Sequence, residues 1–369
     1  MPKRLLAAAL WLAVLIILRT TTPALAVTGA CVNCHTMHNS QDNSPMATFP
    51  AKGVAGTGPN SFLTRGTCIG CHAQGSGSNI VTIGGSEIPQ VFHTNATDLA
   101  GGNFAYIDGT KAGAGSASGH NVTELFGVNS DANLNFAPGA SHIVVSDSNL
   151  TCSGSYGCHG TRNSSNIGTN SLKGAHHGNV NGQLNTADTV ANSYMFLYRV
   201  KGYENTVNKW RNVDANSHHE YFGATTPMPT FDCFNCHTYA GAAPVNQTIS
   251  GYCATCHGAF HDLGGIGGDV TSPFVRHPTD VVIKNSDEYA AYTTYNVLAP
   301  PGRPAVPAAA SNTVVPGTDV VTCLSCHASH ASKYPDMLKW DYDGECLSHA
   351  GDGTKPNCGC FVCHTTKDN

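Results

Sequence analysis

Residues 31–35, Cys31-Val32-Asn33-Cys34-His35, open a five-residue pattern, Cys-x-x-Cys-His, that recurs from Cys68, Cys233, Cys253, Cys323 and Cys360. A single Cys-x-x-Cys fits half a zinc site, a redox-active dithiol or a structural disulfide. None of these requires histidine directly after the second cysteine, and all six copies have it. The pattern is the attachment signature of c-type haem, in which two thiols add to the porphyrin vinyl groups and the histidine reaches the iron. The attachment residues are then Cys31, Cys34, Cys68, Cys71, Cys233, Cys236, Cys253, Cys256, Cys323, Cys326, Cys360 and Cys363. Their axial histidines are His35, His72, His237, His257, His327 and His364.

A seventh site departs from this spacing. Cys152-Ser-Gly-Ser-Tyr-Gly-Cys158-His159 keeps the terminal Cys-His but places five residues between the thiols. Gly154 and Gly157 help such a spacer loop outward between two fixed sulfurs. Two readings stay open: a full seventh haem c held by Cys152, Cys158 and His159, or attachment through Cys158 alone. Of the sixteen cysteines, Cys346 and Cys358 are then left over. A disulfide between them is the plain reading in an oxidising compartment. The other reading has either one competing with Cys360 as the partner of Cys363.

Residues 1–26 read as a secretory signal peptide, with Lys3 and Arg4 before the apolar run Leu5 to Leu18 and a small-residue cleavage site at Ala24-Leu25-Ala26. Fourteen apolar residues are short for a bilayer span, and no later stretch is long and apolar enough, so no transmembrane span is expected. Residues 27–369 read as a single exported multihaem domain, periplasmic or at the outer cell surface. Removing the signal leaves 16 basic against 24 acidic side chains. That balance argues against nucleic acid and favours basic redox partners, metal ions and mineral surfaces.

Only 12% of the residues are charged, and the chain is rich in Gly, Asn, Ser and Thr. Such a composition buries too little aliphatic surface to order itself easily. The expected fold is mostly irregular coil with short helices and few short strands, wrapped round a chain of haems. The motif turns and Asp287–Val297 are the predicted helical pieces, and Ile80–Ile83 and His142–Val145 the predicted strands. The Pro/Ala stretch Ala299–Ala310 reads as an extended surface segment.

Nineteen histidines leave twelve beyond the seven motifs, so every iron has a second histidine available. An iron with two protein ligands has no open position for substrate and suits electron transfer. His38, His261 and His330 follow a motif closely. Three or four residues span at most ~10–14 Å, too little to round the porphyrin edge, so each is expected to ligate a neighbouring haem. His120, His142, His176 or His177, and His277 are the next candidates. The roles of His93, His218, His219 and His349 stay open, as does axial ligation by methionine.

The stretches CVNCHTMHNS at 31–40, LTCSGSYGCHG at 150–160, SLKGAHHG at 171–178, SPFVRHPTD at 272–280 and VTCLSCHASHASKYPDML at 321–338 resemble the multihaem c-type cytochromes of dissimilatory metal-reducing, Geobacter-like bacteria. The resemblance implies a non-enzymatic electron carrier serving extracellular respiration, with other c-type cytochromes and extracellular metal or mineral acceptors as partners. It supports functional roles for His38, His142, His177, His277 and His330. Some members of that wider group polymerise, so a homopolymer is a further expectation. The competing reading is a multihaem oxidoreductase acting on a small nitrogen or sulfur compound. It needs an iron with an open face, whereas all seven motifs here end in His.

Overall fold

The computed structural model describes residues 30–49, 54–55, 59, 62–74, 77–122, 124–125, 137–139, 150–154, 156–159, 197, 199–204, 207–225, 248–260, 277–305, 307–349 and 357–367. Residues 1–26, the motif at 233–237, the predicted strand at 142–145 and His176, His177 and His261 lie outside them. Among the described residues no helix is long and apolar enough to cross a membrane.

Five motifs share one local fold. In each, the histidine N–H donates to the carbonyl of the first cysteine, at 2.7 Å for His35, 2.9 Å for His72 and His364, and 3.0 Å for His257 and His327. That is a single α-turn, too short to persist alone because nucleation is unfavourable. Each turn is instead anchored by what flanks it. Helix α1 (Ile69–His72) buries Ile69. Helix α2 (Ile249–Ala254) is capped by Thr248, whose hydroxyl accepts from Gly251 N–H at 2.8 Å and donates to Asp280 at 2.6 Å. Helix α3 (Cys323–Cys326) carries a capping box between Thr322 and Ser325, and the Ser325 hydroxyl also donates to Pro300 O at 2.6 Å. Helix α4 (Cys360–Cys363) follows Gly359, where a Cβ would collide with the Trp340 ring.

The strands are short. Hairpins pair β1 (Ser40–Gln41) with β2 (Ser44–Pro45), β3 (Thr48–Phe49) with β4 (Val54–Ala55), and β5 (Ile80–Ile83) with β6 (Ser86–Pro89). The last turns through Gly84 and Gly85 at φ 59° and 91°, the left-handed pair that a two-residue hairpin demands. Strands β7 (Thr151–Ser153) and β8 (Gly157–His159) run parallel. The largest sheet has the order β11-β13-β12-β10-β9, from β9 (Val200–Gly202), β10 (His219–Phe222), β11 (Val281–Val282), β12 (Gly302–Arg303) and β13 (Val320–Val321). Strand β13 runs directly into α3, so this sheet carries an attachment turn on its end.

Two expectations are corrected. Asp287–Val297 forms only a 3-10 turn at Asp287–Tyr289. Beyond it the backbone bonds across the chain: Tyr295 N–H donates to Asn312 O at 2.8 Å and Val314 N–H to Thr293 O at 3.0 Å. Tyr292 and Tyr295 are drawn inward by that pairing and are buried. Nor is Ala299–Ala310 a surface segment throughout. Residues 299–303 are buried, because β12 is an inner strand of the sheet and Arg303 is its charged centre.

Among the described residues the apolar packing falls into four small clusters, and each has a motif cysteine against it: Cys152 with the Phe92, Phe104 and Ile107 cluster; Cys158 with that of Ile249 and Tyr252; Cys363 with that of Tyr292; Cys326 and Cys360 with that of Trp340. The last cluster contains the Cys346–Cys358 disulfide, with Cys346 Sγ 4.0 Å from Cys360 Sγ.

The sheet also buries charge. Arg303 donates through Nε to Glu220 at 3.0 Å and pairs with Asp319 through Nη1. Ser311 N–H donates to Glu220 at 2.9 Å and Val315 N–H to Asp319 at 2.8 Å. Burial pushes the Glu220 carboxyl up, but the hydrogen bond from His218 and the Arg303 charge outweigh it and hold the group below its usual range. Removing one member of such a network is expensive because it strands buried charge. Arg303→Met leaves two buried carboxylates without their cation and is expected to cost about 3–5 kcal/mol. Denaturant titration of the holoprotein checks this, and a loss below about 1 kcal/mol contradicts it.

Candidate haem attachment and ligand sites

A histidine that ligates iron through Nε2 needs its proton on Nδ1, and the hydrogen bond at Nδ1 decides this. In the structure, Nδ1 of His35 donates to Leu63 O at 3.2 Å, His72 to Pro89 O at 2.9 Å, His257 to Pro138 O at 2.7 Å and His327 to Asp336 O at 2.7 Å. Two histidines outside the motifs match: His120 donates to Ser329 O and His277 to Pro278 O, both at 2.9 Å. A carbonyl only accepts, so each ring is fixed with its lone pair on Nε2. Burial lowers the pKa of His72, takes His120 down to about 4 and takes His330 down to about 3. These imidazoles are neutral at physiological pH, the form a metal binds.

The rings also pair. His120 and His257 have centroids 6.2 Å apart, His159 and His330 6.0 Å, and His277 and His364 6.3 Å. Two imidazoles on opposite sides of one metal, each at a metal–nitrogen distance of about 2 Å, have centroids about 6 Å apart. Each pair joins a motif histidine to one of the spare histidines. The donor set therefore fits haem c. His330 lies against His159, not against His327 of its own motif. His38 sits in the turn after His35 at φ 56°.

Three buried histidines are built differently. Asn103 Nδ2 faces His93 Nδ1 at 3.3 Å, while His93 Nε2 points toward Asp98 at 3.9 Å. His218 uses both nitrogens, on Asp214 O at 3.1 Å and Glu220 Oε1 at 2.9 Å, and stacks on Tyr295 at 3.6 Å. His219 pairs with Glu204 through Nε2. All three serve packing and charge networks. A sequence signal existed for His218, since Glu220 of β10 follows at i+2, the spacing that puts two side chains on one side of extended backbone.

The departing motif has its own geometry. Cys152 and Cys158 lie on paired strands, and the chain turns back through Gly154 at φ 98°. A Cβ at Gly157 would strike the Ser153 backbone at 2.5 Å, so the spacer closes only with glycine there.

Neighbouring sites touch in chain order. Arg65 N–H, just before the second motif, donates to Cys34 O at 2.9 Å. Cys152 packs against the cluster that holds Ile69, the residue after Cys68. The Tyr252 hydroxyl, beside Cys253, donates to Cys158 O, and His120 N–H donates to His330 O at 3.0 Å. Cys323 N–H donates to Ser250 Oγ at 3.2 Å, joining α2 to α3. Cys326 and Cys360 pack against the same Trp340 cluster.

No family model matches the chain. It is 25% identical over 375 residues to C-type cytochrome OmcS of Geobacter sulfurreducens, covering 89% of this chain and 83% of that protein. The chain is a homologue of a c-type cytochrome. Among solved structures it is similar to the OmcS nanowires seen by cryo-EM, at 21% identity, 84% and 83% coverage and a TM-score of 0.45. It is also similar to an outer membrane cytochrome S filament, at 19% identity, 87% and 85% coverage and a TM-score of 0.43, both from Geobacter sulfurreducens.

The His93 environment gives a pH dependence with a definite sign. Burial is the main reason its pKa falls from 6.5 to about 4. An unfolded histidine takes up a proton near pH 6.5 while the folded one refuses it until about 4. Stability present above pH 6.5 is thus lost as the pH falls toward 4. His93→Gln is expected to flatten the melting temperature between these values. An unchanged slope in thermal scans of the variant contradicts the assignment.

Proposed function

We propose that this chain is an exported electron-transfer protein, not an enzyme, carrying electrons along about seven bis-histidine haems c. The pairing of motif histidines with spare histidines at 6.0–6.3 Å carries this reading. When bound, haem c supplies reversible one-electron chemistry at iron, tuned by its axial ligands. The protein's part is to saturate each iron from both faces and to hold neighbouring sites in contact.

We assign His120 opposite His257, His330 opposite His159 and His277 opposite His364. His38, His142, His176, His177 and His261 are the remaining candidates opposite His35, His72, His237 and His327. Saturation by imidazole leaves no open face for a substrate, which separates this reading from an oxidoreductase. The contacts between sites run from Cys34 to Cys360 in sequence order, so the relay follows the order of the motifs, with the 233–237 site outside the described residues. The donors and acceptors are other c-type cytochromes and extracellular metal or mineral surfaces.

The same reading includes assembly with further copies into a filament. Val32, Met37 and Leu63 are 57%, 71% and 58% exposed around the first site. Exposed apolar side chains can serve as a place of contact; Val32 and Met37 lie in and just after the first motif, and Leu63 O accepts from His35 Nδ1. Discrete particles in negative-stain images of the secreted protein would remove the filament while leaving the conduit.

Intact mass of the mature protein tests the cofactor count, with seven haems and loss of residues 1–26 expected. The oxidised spectrum should be entirely low-spin. His120→Ala is expected to convert one haem of the set to high-spin or weakly ligated iron, leaving the mass unchanged. A fully low-spin spectrum for that variant would falsify the His120–His257 assignment.

A further inference from the structure

His364 is held unlike six other candidate axial histidines among the described residues. His35, His72, His120, His257, His277 and His327 each give the Nδ1 proton to a neutral backbone carbonyl. His364 gives it to a carboxylate, Glu288 Oε1, at 3.1 Å. The contact is built. The Thr365 backbone N–H donates to Glu288 O at 3.1 Å and its hydroxyl donates to the same oxygen, clasping the two segments across 77 residues of sequence. The Tyr289 ring covers His364 at 5.0 Å. The Glu288 side chain is 16% exposed, so water screens it little. Its other oxygen lies 3.8 Å from Lys367 Nζ, but that lysine is 64% exposed and cancels little of the charge.

We propose that Glu288 is a positioning residue that makes the Cys360–Cys363 site the lowest-potential site among those described, and so the end at which electrons are received. This rests on the bis-histidine conduit reading. A carboxylate acceptor draws the Nδ1 proton more strongly than a carbonyl does and makes the ring a more basic ligand. A more basic, more negative ligand set favours ferric over ferrous iron, since second-shell hydrogen bonding is one of the protein's levers on potential. Electrons placed on this site then pass to sites of higher potential. The adjoining one is Cys323–Cys326, since Cys326 and Cys360 pack against the same Trp340 cluster. His327 of that site donates to the neutral carbonyl of Asp336, which supplies the difference between the two neighbours. Tyr289 and Cys363 both pack against the buried Tyr292 cluster, which sets this site against apolar side chains.

The test is a potentiometric titration of the full holoprotein with Glu288→Gln. Glutamine keeps an acceptor oxygen for His364 and removes the charge. The expected result is that the lowest-potential component moves upward, its preference for the ferric state falling about tenfold, which is about 59 mV for one electron. Lys367→Met, which removes the partial countercharge, is expected to move the same component downward by less. Unchanged potentials in both variants, with haem count and low-spin spectrum intact, overturn the proposal. So does a shift confined to a component other than the lowest. The conduit reading fails separately, if the wild-type protein carries high-spin haem or too few haems by mass. Should Glu288→Gln lose its haem, Glu288→Asp decides: it keeps the charge but shortens the reach to His364, so the same component is expected to move upward by less, and an unchanged component overturns the proposal.

Discussion

The decisive interaction is a hydrogen bond that never touches iron. A backbone carbonyl, offered to Nδ1 of an imidazole, settles which nitrogen keeps the proton and which faces the haem. Leu63, Pro89, Pro138, Ser329, Pro278 and Asp336 do this for six rings. All six acceptors are main-chain atoms, so the irregular backbone that looks like absence of structure is what orients the rings. A regular helix or sheet spends its carbonyls on itself. Coil leaves them available, and a chain that must present many histidines has reason to stay mostly coil.

That choice has an energetic consequence. Among the described residues four small clusters, each with a motif cysteine against it, hold the apolar packing. Clusters of this size bury little apolar area, and stability has to beat the conformational entropy of the whole chain. The covalent cofactors, the Cys346–Cys358 bond and the charged centre of the sheet act at the places where apolar packing is thinnest. The sheet is the stiffest of these. Thr248 ties α2 to Asp280 beside β11, and β13 ends in α3, so two attachment turns hang on one rigid element.

What the sequence reveals follows from range. The attachment turns are legible because their defining bond spans four residues, from His N–H to the first cysteine's carbonyl. The β5–β6 hairpin is legible because Gly84-Gly85 sits between two apolar runs. The Cys346–Cys358 bond follows from elimination once the motif cysteines are set aside. Failure begins where the deciding partner is distant. Tyr289, Tyr292 and Tyr295 recur at helical spacing, yet Asn312 and Thr293 take the backbone into cross-chain pairing. Residues 299–303 have the composition of a surface segment, yet Glu220 and Asp319 hold Arg303 inside. His93, His218 and His219 are the same residue type as the candidate ligands. Only Asn103, Glu220 and Glu204 separate them, and of these only Glu220 is a sequence neighbour of its histidine. Glu288 lies 76 residues from His364, and nothing local marks it.

The contacts between sites also bear on how such a chain reaches its structure. Segments at successive described sites are joined along the sequence: Arg65 N–H bonds Cys34 O, Cys152 packs on the cluster that holds Ile69, Tyr252 bonds Cys158, Ser250 bonds Cys323, and Cys326 and Cys360 pack round Trp340. Sites filled in order during export can therefore dock in order, each new turn meeting one already anchored. The exceptions are the histidine pairs, which reach across the chain: His120 precedes His257, whereas His330 follows His159. These closures fasten early segments to late ones and cannot form until both ends are present. The neighbour contacts tie successive segments together, and the crossed histidine pairs join early segments to late ones, so the rings proposed as ligands also complete the fold.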